Sequence, residues 1–419
     1  MLRRLICAWK IALRWWNSMP SKTQLVVGLD AGTSRTRCVI CALENGYIRY
    51  LGHGLAPAQG WAKGRVTDQD AVAESIRAAV TDAERGAQIS VDAVTVGIGG
   101  MHVHGAQSRG LYEFGRPREV DSADMAYAVE LASEVRLERD RMVLHVEPQD
   151  FTLDGRSGYR KPHNGVCSRL EANVHVISSS FQEHQAIVAA VHLAHLAVEE
   201  TVFEPMAAAY ACITQEIRAR GIALLDMGLD STDLVVYDGE AMLLASSIPI
   251  WADHFTRDVA SVFKVTYEDA ECLKQQYGCA LLGLTADSSL IEVPSPEGRP
   301  PREARRSELN EILEARAEEL FHYVRAELQR VGMERNLLEG IVLTGGGALL
   351  NGMCDMAERV LNCQAGNGLT TENDIGEWPE ELKSPSWTAA AGLAMYSGKL
   401  KLHRPPRRRM GGLMGLVLR

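Results

Sequence analysis

Three glycine-bearing strings carry the residue types that hold phosphate: GLDAGTSR from Gly28, DMGLDSTD from Asp226 and LTGGGALL from Leu343. Glycine lets a backbone turn sharply and approach a phosphate, while free N–H groups and Ser or Thr hydroxyls donate to its oxygens. Gly28, Gly32, Thr33 and Ser34 are the candidates in the first string, and Gly228, Ser231 and Thr232 in the second. Arg35 adds a planar cation that suits phosphate oxygens. Each of the first two strings runs from an apolar strand (LVVGLD, IALLDMG) into an aspartate. Asp30 and Asp226 are thereby placed to give Mg2+ a hard oxygen ligand, directly or through water. The plan occurs twice, which reads as internal duplication.

These strings need strands to carry them and helices to back the strands. The pattern predicts a β-hairpin over 24–42, a strand near Tyr47 to Leu51, a helix over 68–86 and a strand over 91–98. Residues 104–181 read as an insert with strands at VLHVEP, FTLDG and LEANVHVISSS and one helix near 122–136. A helix over 183–198 leads to VFEPMAAAY. Strands over 222–228 and 233–237 follow, then helices near 254–264 and 267–277 and a turn-rich SPEGRPP loop. A long charged helix runs from Arg306 to Val331, then come a strand over 340–344 and helices over 348–361 and 386–397. Residues 398–409, rich in Lys, Arg and Pro, read as a linker.

At 419 residues the chain exceeds one ordinary core. Its 46 % apolar and 23 % charged residues are those of a soluble globular protein, and a net charge of −10 argues against a nucleic-acid partner. The nine cysteines are scattered. Cys38 and Cys41, three apart on a strand, would point to opposite faces, which disfavours a metal or redox pair.

The average charge hides the ends. Residues 399–419 carry seven Lys or Arg and no acid, and residues 1–22 carry five and no acid. No apolar run reaches the roughly 20 residues that span a bilayer. In RRRMGGLMGLVLR, Met410, Leu413, Met414 and Val417 fall at helical spacing, with Leu416 and Leu418 beside them and Arg407, Arg408 and Arg409 leading in. This is the pattern of a segment that becomes helical on an anionic lipid surface. Residues 1–16 show a similar pattern, with Leu2, Leu5, Ile6, Trp9, Leu13 and Trp16 against Arg3, Lys10 and Arg14. Lys10 and Arg14 interrupt the apolar run that a secretory signal needs, so two readings of that stretch stand: a second membrane-surface helix, or residues upstream of a true start at Met19.

In its ordered phosphate and glycine strings the chain resembles the actin-like ATPase superfamily, where two related domains clamp ATP. Five further stretches resemble the FtsA family of bacterial cell division more closely: VLHVEPQDF (143–151), DAECLKQQYGCAL (269–281), EGRPPREARR (297–306), GIVLTGGGALLNGM (340–353) and SWTAAAGLAMY (386–396). The resemblance covers roughly residues 24–397. It implies an α/β, actin-like (ribonuclease-H-like, duplicated) two-domain ATPase fold with an inserted α+β subdomain, 1C, which is SHS2-like. The implied divisions are 1–22 as a basic extension, 23–103 with 182–221 and 386–397 as subdomain 1A, and 104–181 as 1C. Residues 222–248 with 332–385 form 2A, 249–331 form 2B, 398–406 the linker and 407–419 the membrane helix.

The resemblance also assigns roles. ATP and Mg2+ are the implied cofactors. Gly345, Gly346 and Gly347 would approach the sugar and base, with Glu271 and Lys274 at the ribose and adenine. Glu204 falls where actin-like ATPases orient the attacking water, so Glu204, Asp226 and Asp30 are the catalytic candidates. The second turn departs from the family's glycine-rich form: Leu229 adds bulk and Asp230 a negative charge near the outermost phosphate. The expected chemistry is therefore ATP binding with turnover slower than about one per second, the low end for ordinary enzymes. Subdomain 2B, through Arg302, Arg305 and Arg306, would bind the C-terminal tail of the tubulin-like FtsZ. Self-assembly into filaments, contacts to later division proteins through 1C, and anionic lipids complete the implied partners, at midcell on the cytoplasmic face of the inner membrane. A PilM-like pilus-assembly protein of the same fold is the alternative, which YGCAL and GRPP disfavour. A sugar kinase would need a substrate pocket that the small insert does not offer.

Overall fold

The computed structural model describes residues 24–239, 241–286, 288–295, 300–371 and 378–403. The amphipathic segments expected at 1–16 and 407–419 lie outside the described residues.

The first sheet starts with a meander, β1 (Gln24–Ala31), β2 (Arg35–Glu44) and β3 (Tyr47–Pro57). A small hairpin, β4 (Trp61–Ala62) and β5 (Arg65–Val66), leads to α1 (Gln69–Ala87) and β6 (Ala93–Ile98). Asp68 caps α1 by accepting from the amides of Asp70 and Ala71, which satisfies orphan donors of the first turn. After the insert, α3 (Phe181–Leu193) and β11 (Ala197–Phe203) return to this sheet, whose order is β11-β6-β1-β2-β3. The insert itself contains β7 (Val103–Glu119), α2 (Ser122–Ser133), β8 (Arg141–Leu153), β9 (Arg156–Tyr159) and β10 (Val166–Ser180), in the order β7-β10-β8-β9.

Two helices, α4 (Glu204–Cys212) and α5 (Gln215–Ala219), cross to the second half. There β12 (Ile222–Met227), β13 (Thr232–Asp238) and β14 (Ala241–Ile248) form another meander, followed by α6 (Ala252–Phe263) and α7 (Tyr267–Tyr277). The hairpin β15 (Leu290–Val293) and β16 (Arg302–Arg305), the long α8 (Arg306–Arg330), β17 (Ile341–Thr344), α9 (Met353–Leu361), β18 (Ala365–Asn367) and α10 (Thr388–His403) complete the chain. The sheet order β14-β13-β12-β17-β18 repeats that of the first half, with two antiparallel and two parallel pairings in each. The duplication read from the two aspartate turns is thus a duplication of whole sheets.

Period-2 alternation splits each central strand between two cores. Val27 and Leu29 of β1 pack in one cluster and Val26 in another. In β12, Ile222 and Leu224 face the first domain while Ala223 and Leu225 face α8. Cys38 and Cys41 fall on opposite faces of β2, both buried, with thiols that burial pushes far up.

Several elements differ from expectation. The helix expected over 183–198 ends at Leu193; His195 adopts φ 64°, and Ala197–Phe203 pairs in parallel with β6 instead. VLHVEP and FTLDG are one continuous strand, and the 17-residue β7 before them has too little apolar alternation to be seen. The helix expected over 348–361 is split: a 3-10 turn covers Gly346–Leu349, and α9 begins after Gly352 at φ 79°. Residues 398–403, read as linker, extend α10. Leu400 is buried, and Lys401 Nζ reaches Glu199 at 2.7 Å and the Leu25 carbonyl at 2.6 Å, so basic residues here anchor a helix.

The insert rests on the outer strand of the second sheet. Gln107 Nε2 donates to the Leu243 carbonyl at 3.1 Å and Gln149 Nε2 to that of Met242 at 2.7 Å. The Ala245 amide donates to Nε2 of the buried His175 at 3.1 Å, and Arg160 donates to the carbonyls of Asp238 and Gly239. Gly105 makes room for His175, since a Cβ there would stand 2.3 Å from its ring.

Candidate functional site

The two sheets bring the first strands of the repeats, β1 and β12, to a common cleft. Asp30 is 8 % exposed at the end of β1, and Arg37, opposite it in register on β2, lies 3.6 Å away. Asp226 near the end of β12 accepts from Thr344 Oγ1 at 3.2 Å. Glu204 opens α4 straight from the end of β11 and reaches over β6. A Cβ at Gly97 or Gly99 would stand 2.6 or 2.4 Å from its carboxylate oxygens. The sequence reading missed a fourth carboxylate, Asp233 of β13, which accepts from the Gly100 amide at 2.8 Å and from Ser247. The signal was available in VGIGG, a strand end kept bare for the acids above it.

Burial raises the pKa of all four acids, and neighbouring carboxylates add to it at Glu204 and Asp226. Burial raises Glu204 well above the usual range, and the charges of Asp30, Asp226 and Asp233 add to it. Asp226 is pushed up to about 7, first by burial and then by Asp30 and Asp233. Asp233 reaches about 6 through burial. Asp30 is raised too, burial outweighing Arg37. Four acids short of cations form a site that attracts a positive ion. Among the described residues no group of three or more His, Cys, Asp or Glu is placed to grip a metal directly. The carboxylate oxygens of these acids are hard donors of the kind that suits Mg2+.

Beside the acids lies a cavity of about 440 Å3, lined by Ser34, Arg35, Arg37, Met227, Leu229, Phe255, Glu271, Lys274, Gly346, Gly347 and Ser386, among others. Such a volume suits a nucleotide-sized ligand. Lys274 is 9 % exposed and bridges Glu271 and Thr256 Oγ1, each at 2.7 Å. Glu271 also accepts from Gln275 at 2.7 Å. This is a built polar wall rather than a solvated ion pair. Of the three glycines, Gly346 and Gly347 line the cavity; Gly345, at φ 79°, backs onto Met227 and Asp226.

Other predicted residues lie elsewhere. Gly32 and Thr33 form the turn after β1, outside the cavity lining. Gly228 donates to the Ser231 carbonyl at 2.8 Å and closes the second turn, while Ser231 supports Asp233. Thr232 is fully buried and its hydroxyl meets no protein partner. Gly28 is a correction: it faces α10, where a Cβ would stand 2.2 Å from the Ala390 carbonyl, so it is a packing glycine. Gly28→Ala is expected to cost about 1–3 kcal/mol by overpacking, measured by urea unfolding, with ligand affinity of the folded fraction unchanged.

The second turn resolves one conflict and keeps another. Leu229 lines the cavity as feared, and its carbonyl accepts from the Asp253 amide at 2.9 Å at the start of α6. Asp230 turns away and accepts from the Gly64 amide of the β4–β5 hairpin at 3.0 Å, bridging the two halves. The three arginines near β16 do not form one cluster. Arg302 and Arg305 are exposed and Arg306 is half-buried; Arg302 donates to the Phe263 carbonyl at 3.2 Å and Arg306 to that of Tyr277 at 2.6 Å.

A repeated five-stranded sheet order around a cleft, with an aspartate from each half facing it, defines a protein of the actin-like ATPase fold. Solved structures agree: the PilM–PilN type IV pilus biogenesis complex matches with TM-score 0.65 at 17 % identity, covering 89 % of this chain and 98 % of that one. MreB5 of Spiroplasma citri bound to ADP matches with TM-score 0.53 at 13 % identity, covering 91 % and 99 %. Within that fold, the chain belongs to the FtsA family of cell division proteins. The family model for cell division protein FtsA matches residues 223–392, and that for the SHS2 domain inserted in FTSA matches residues 100–178. Cell division protein FtsA of Pseudomonas aeruginosa is 33 % identical over 374 residues, 89 % of each chain. That of Borreliella burgdorferi is 34 % identical over 89 % of this chain and 90 % of its own, and that of Escherichia coli K12 31 % over 91 % and 92 %.

Proposed function

We propose that this chain binds ATP with Mg2+ in the interdomain cleft and serves cell division as a polymerising tether between the FtsZ ring and the cytoplasmic membrane. The observation that carries the nucleotide reading is the pairing of the four-acid cluster with the cavity walled by Lys274, Glu271 and Gly346–Gly347. In support, the solved MreB5 structures of Spiroplasma citri hold ADP and AMPPNP. Bound Mg2+ would supply positive charge to the acids and to the phosphates. Asp30 and Asp226 would hold its water ligands from opposite sheets, and Arg35 and Ser34 would face the outer phosphates. Lys274 and Glu271 would position the sugar and base. Glu204, once ionised by the arriving cation, would orient a water, while Leu229 crowds the phosphate side and keeps turnover slow. Nucleotide then acts mainly as a ligand that closes the cleft and sets filament competence.

The pH dependence follows from the acids. A carboxylate whose pKa is raised on folding binds its proton in the native state, and the cation must displace it. With Asp226 near 7, Mg2+·ATP affinity should fall as pH drops from 8 to 6, by about tenfold per proton displaced below that pKa. Binding should release protons, seen by calorimetry in two buffers of different ionisation enthalpy. Uptake, or no difference between buffers, would contradict the assignment.

For the FtsZ tail, the surface around β16 is the expected contact, and Arg305 is one of its exposed cations. Arg305→Glu should weaken a labelled tail peptide by about tenfold or more, the scale of a charge-assisted pair turned repulsive. Arg305→Glu with Arg306→Glu should abolish binding, although Arg306 also holds the end of α7. Unchanged fluorescence polarisation for the single variant would remove this surface from the assignment.

A further inference from the structure

We propose that Arg37 is a second phosphate-holding cation of the cleft, paired with Asp30 when no anion is bound and turned to the terminal phosphates of a nucleotide when one is. The proposal rests on the nucleotide reading of the cleft. Its basis is a guanidinium at the cavity wall whose Nε has no partner. Arg37 stands opposite Asp30 in the β1–β2 register, so both side chains share a face. Their closest approach is 3.6 Å, longer than a charge-assisted hydrogen bond. Nε of Arg37 is buried and has no hydrogen-bond partner. On one side the Trp387 ring lies 5.7 Å from the guanidinium carbon, and on another the side chain lines the cavity beside Arg35, Ser34, Gly346 and Gly347.

An unpartnered Nε alone does not mark a ligand site: that of Arg218 is unpartnered too, but Arg218 spends its amino group on the Ala209 and Ile213 carbonyls at 3.3 Å and does not line this cavity. Other arginines are more fully spent. Arg141 donates from both Nε and an amino group to Ser178 and reaches the His102 carbonyl at 3.1 Å. Arg316 donates to Asp258 at 2.6 Å and also to Glu319. Buried polar groups are almost always satisfied, so an Nε closed off from solvent without an acceptor marks a side chain with a donor to gain by turning, and the cavity that the rest of Arg37 lines is where an acceptor can arrive. The acceptor must be anionic and multidentate to match a planar fork of five donors. A phosphate oxygen pair meets that requirement, and the cavity is open to it.

The charge balance gives Arg37 a second consequence. Asp30, Asp226, Asp233 and Glu204 would repel a triphosphate, and Arg37 is the cation that acts on both Asp30 and Asp226. It supplies from the protein part of the positive charge that Mg2+ would otherwise supply alone. Nucleotide affinity should therefore survive chelation of Mg2+ in the parent protein and depend on Arg37 most when Mg2+ is absent.

The test is titration of full-length protein with a fluorescent ATP analogue (mant-ATP), in Mg2+ and in EDTA, for the parent, Arg37→Gln and Arg37→Lys. Unlabelled inorganic triphosphate serves as a competitor to read the phosphate share. Arg37→Gln should weaken binding by about tenfold or more in EDTA and by less in Mg2+, as expected for loss of a bidentate charged contact. Competition by triphosphate should weaken in parallel. Arg37→Lys keeps the charge and loses the fork, and should lie between. If Arg37→Gln fails to fold by thermal unfolding, Arg37→Lys decides: affinity equal to the parent in EDTA overturns the proposal. Arg37→Gln folding normally and binding within about threefold of the parent in both conditions overturns it as well. A parent protein that binds no mant-ATP in either condition removes the nucleotide reading itself, and this proposal with it.

Discussion

Replacing Asp226 by Asn should remove most of the Mg2+-dependent gain in ATP affinity, a loss of about tenfold in Mg2+ with no loss in EDTA, and yet raise the melting temperature of the nucleotide-free protein at pH 8. The two effects have one cause. Asp226 is crowded by Asp30 and Asp233 in a desolvated setting, so its ionised form is costly until a cation arrives. The folded pKa lies above the unfolded value, so its contribution to stability is present below about pH 4 and is lost as pH rises through about 7. Asparagine removes that loss. The gain should read as roughly 1 °C for each kcal/mol relieved in a chain of this length, be largest at pH 8, shrink as pH falls through 7, and vanish only below about pH 4, where Asp226 is protonated in the folded and unfolded chain alike. Differential scanning fluorimetry across pH gives the first half and calorimetry with Mg2+·ATP the second. A melting-temperature difference that does not vary with pH would show that Asp226 is not the strained group.

Deleting residues 407–419 should release the protein from anionic liposomes. Arg407, Arg408 and Arg409 each contribute about 1 kcal/mol near an anionic surface, so charge alone accounts for a loss of roughly a hundredfold in partitioning. The apolar row Met410, Leu413, Met414 and Val417, with Leu416 and Leu418, adds to it. Three glycines in the segment weaken a free helix by about 1 kcal/mol each, so helicity should appear by circular dichroism only with vesicles. A peptide of 404–419 that is helical in buffer would contradict this, and release by removal of residues 1–18 alone would move the anchor to the other end.

Much of the cleft was legible because its parts are local. An apolar strand, an aspartate and a glycine turn lie within ten residues, and Glu271 with Lys274 share one helical turn. What escaped depends on pairing at a distance. Asp233 reads as an ordinary strand residue until Gly99 and Gly100, more than 130 residues away, are seen to meet it. Arg37 is likewise an ordinary strand cation until register sets it against Asp30. Gly28 misled for the opposite reason: its place in a phosphate-like string hid a helix pressed against its α-carbon. Asp230 looked hostile to phosphate because the string could not show the Gly64 amide that draws it aside. The strands β7 and β14 were missed because one is half-exposed and the other, AMLLASSI, lacks β-branched residues and polar alternation until its end.

The seat of the insert on β14 bears on how the molecule can move. An outer strand with free main-chain groups invites another strand to join it, and here Gln107, Gln149 and His175 occupy those groups with side chains instead. The insert is covalently part of the first half yet held to the second, so chain and contacts close a ring around the hinge. A ring of this kind has no free arm. Any rotation that widens the cleft must shear the amide contacts or carry the insert with it, as a crank carries its handle.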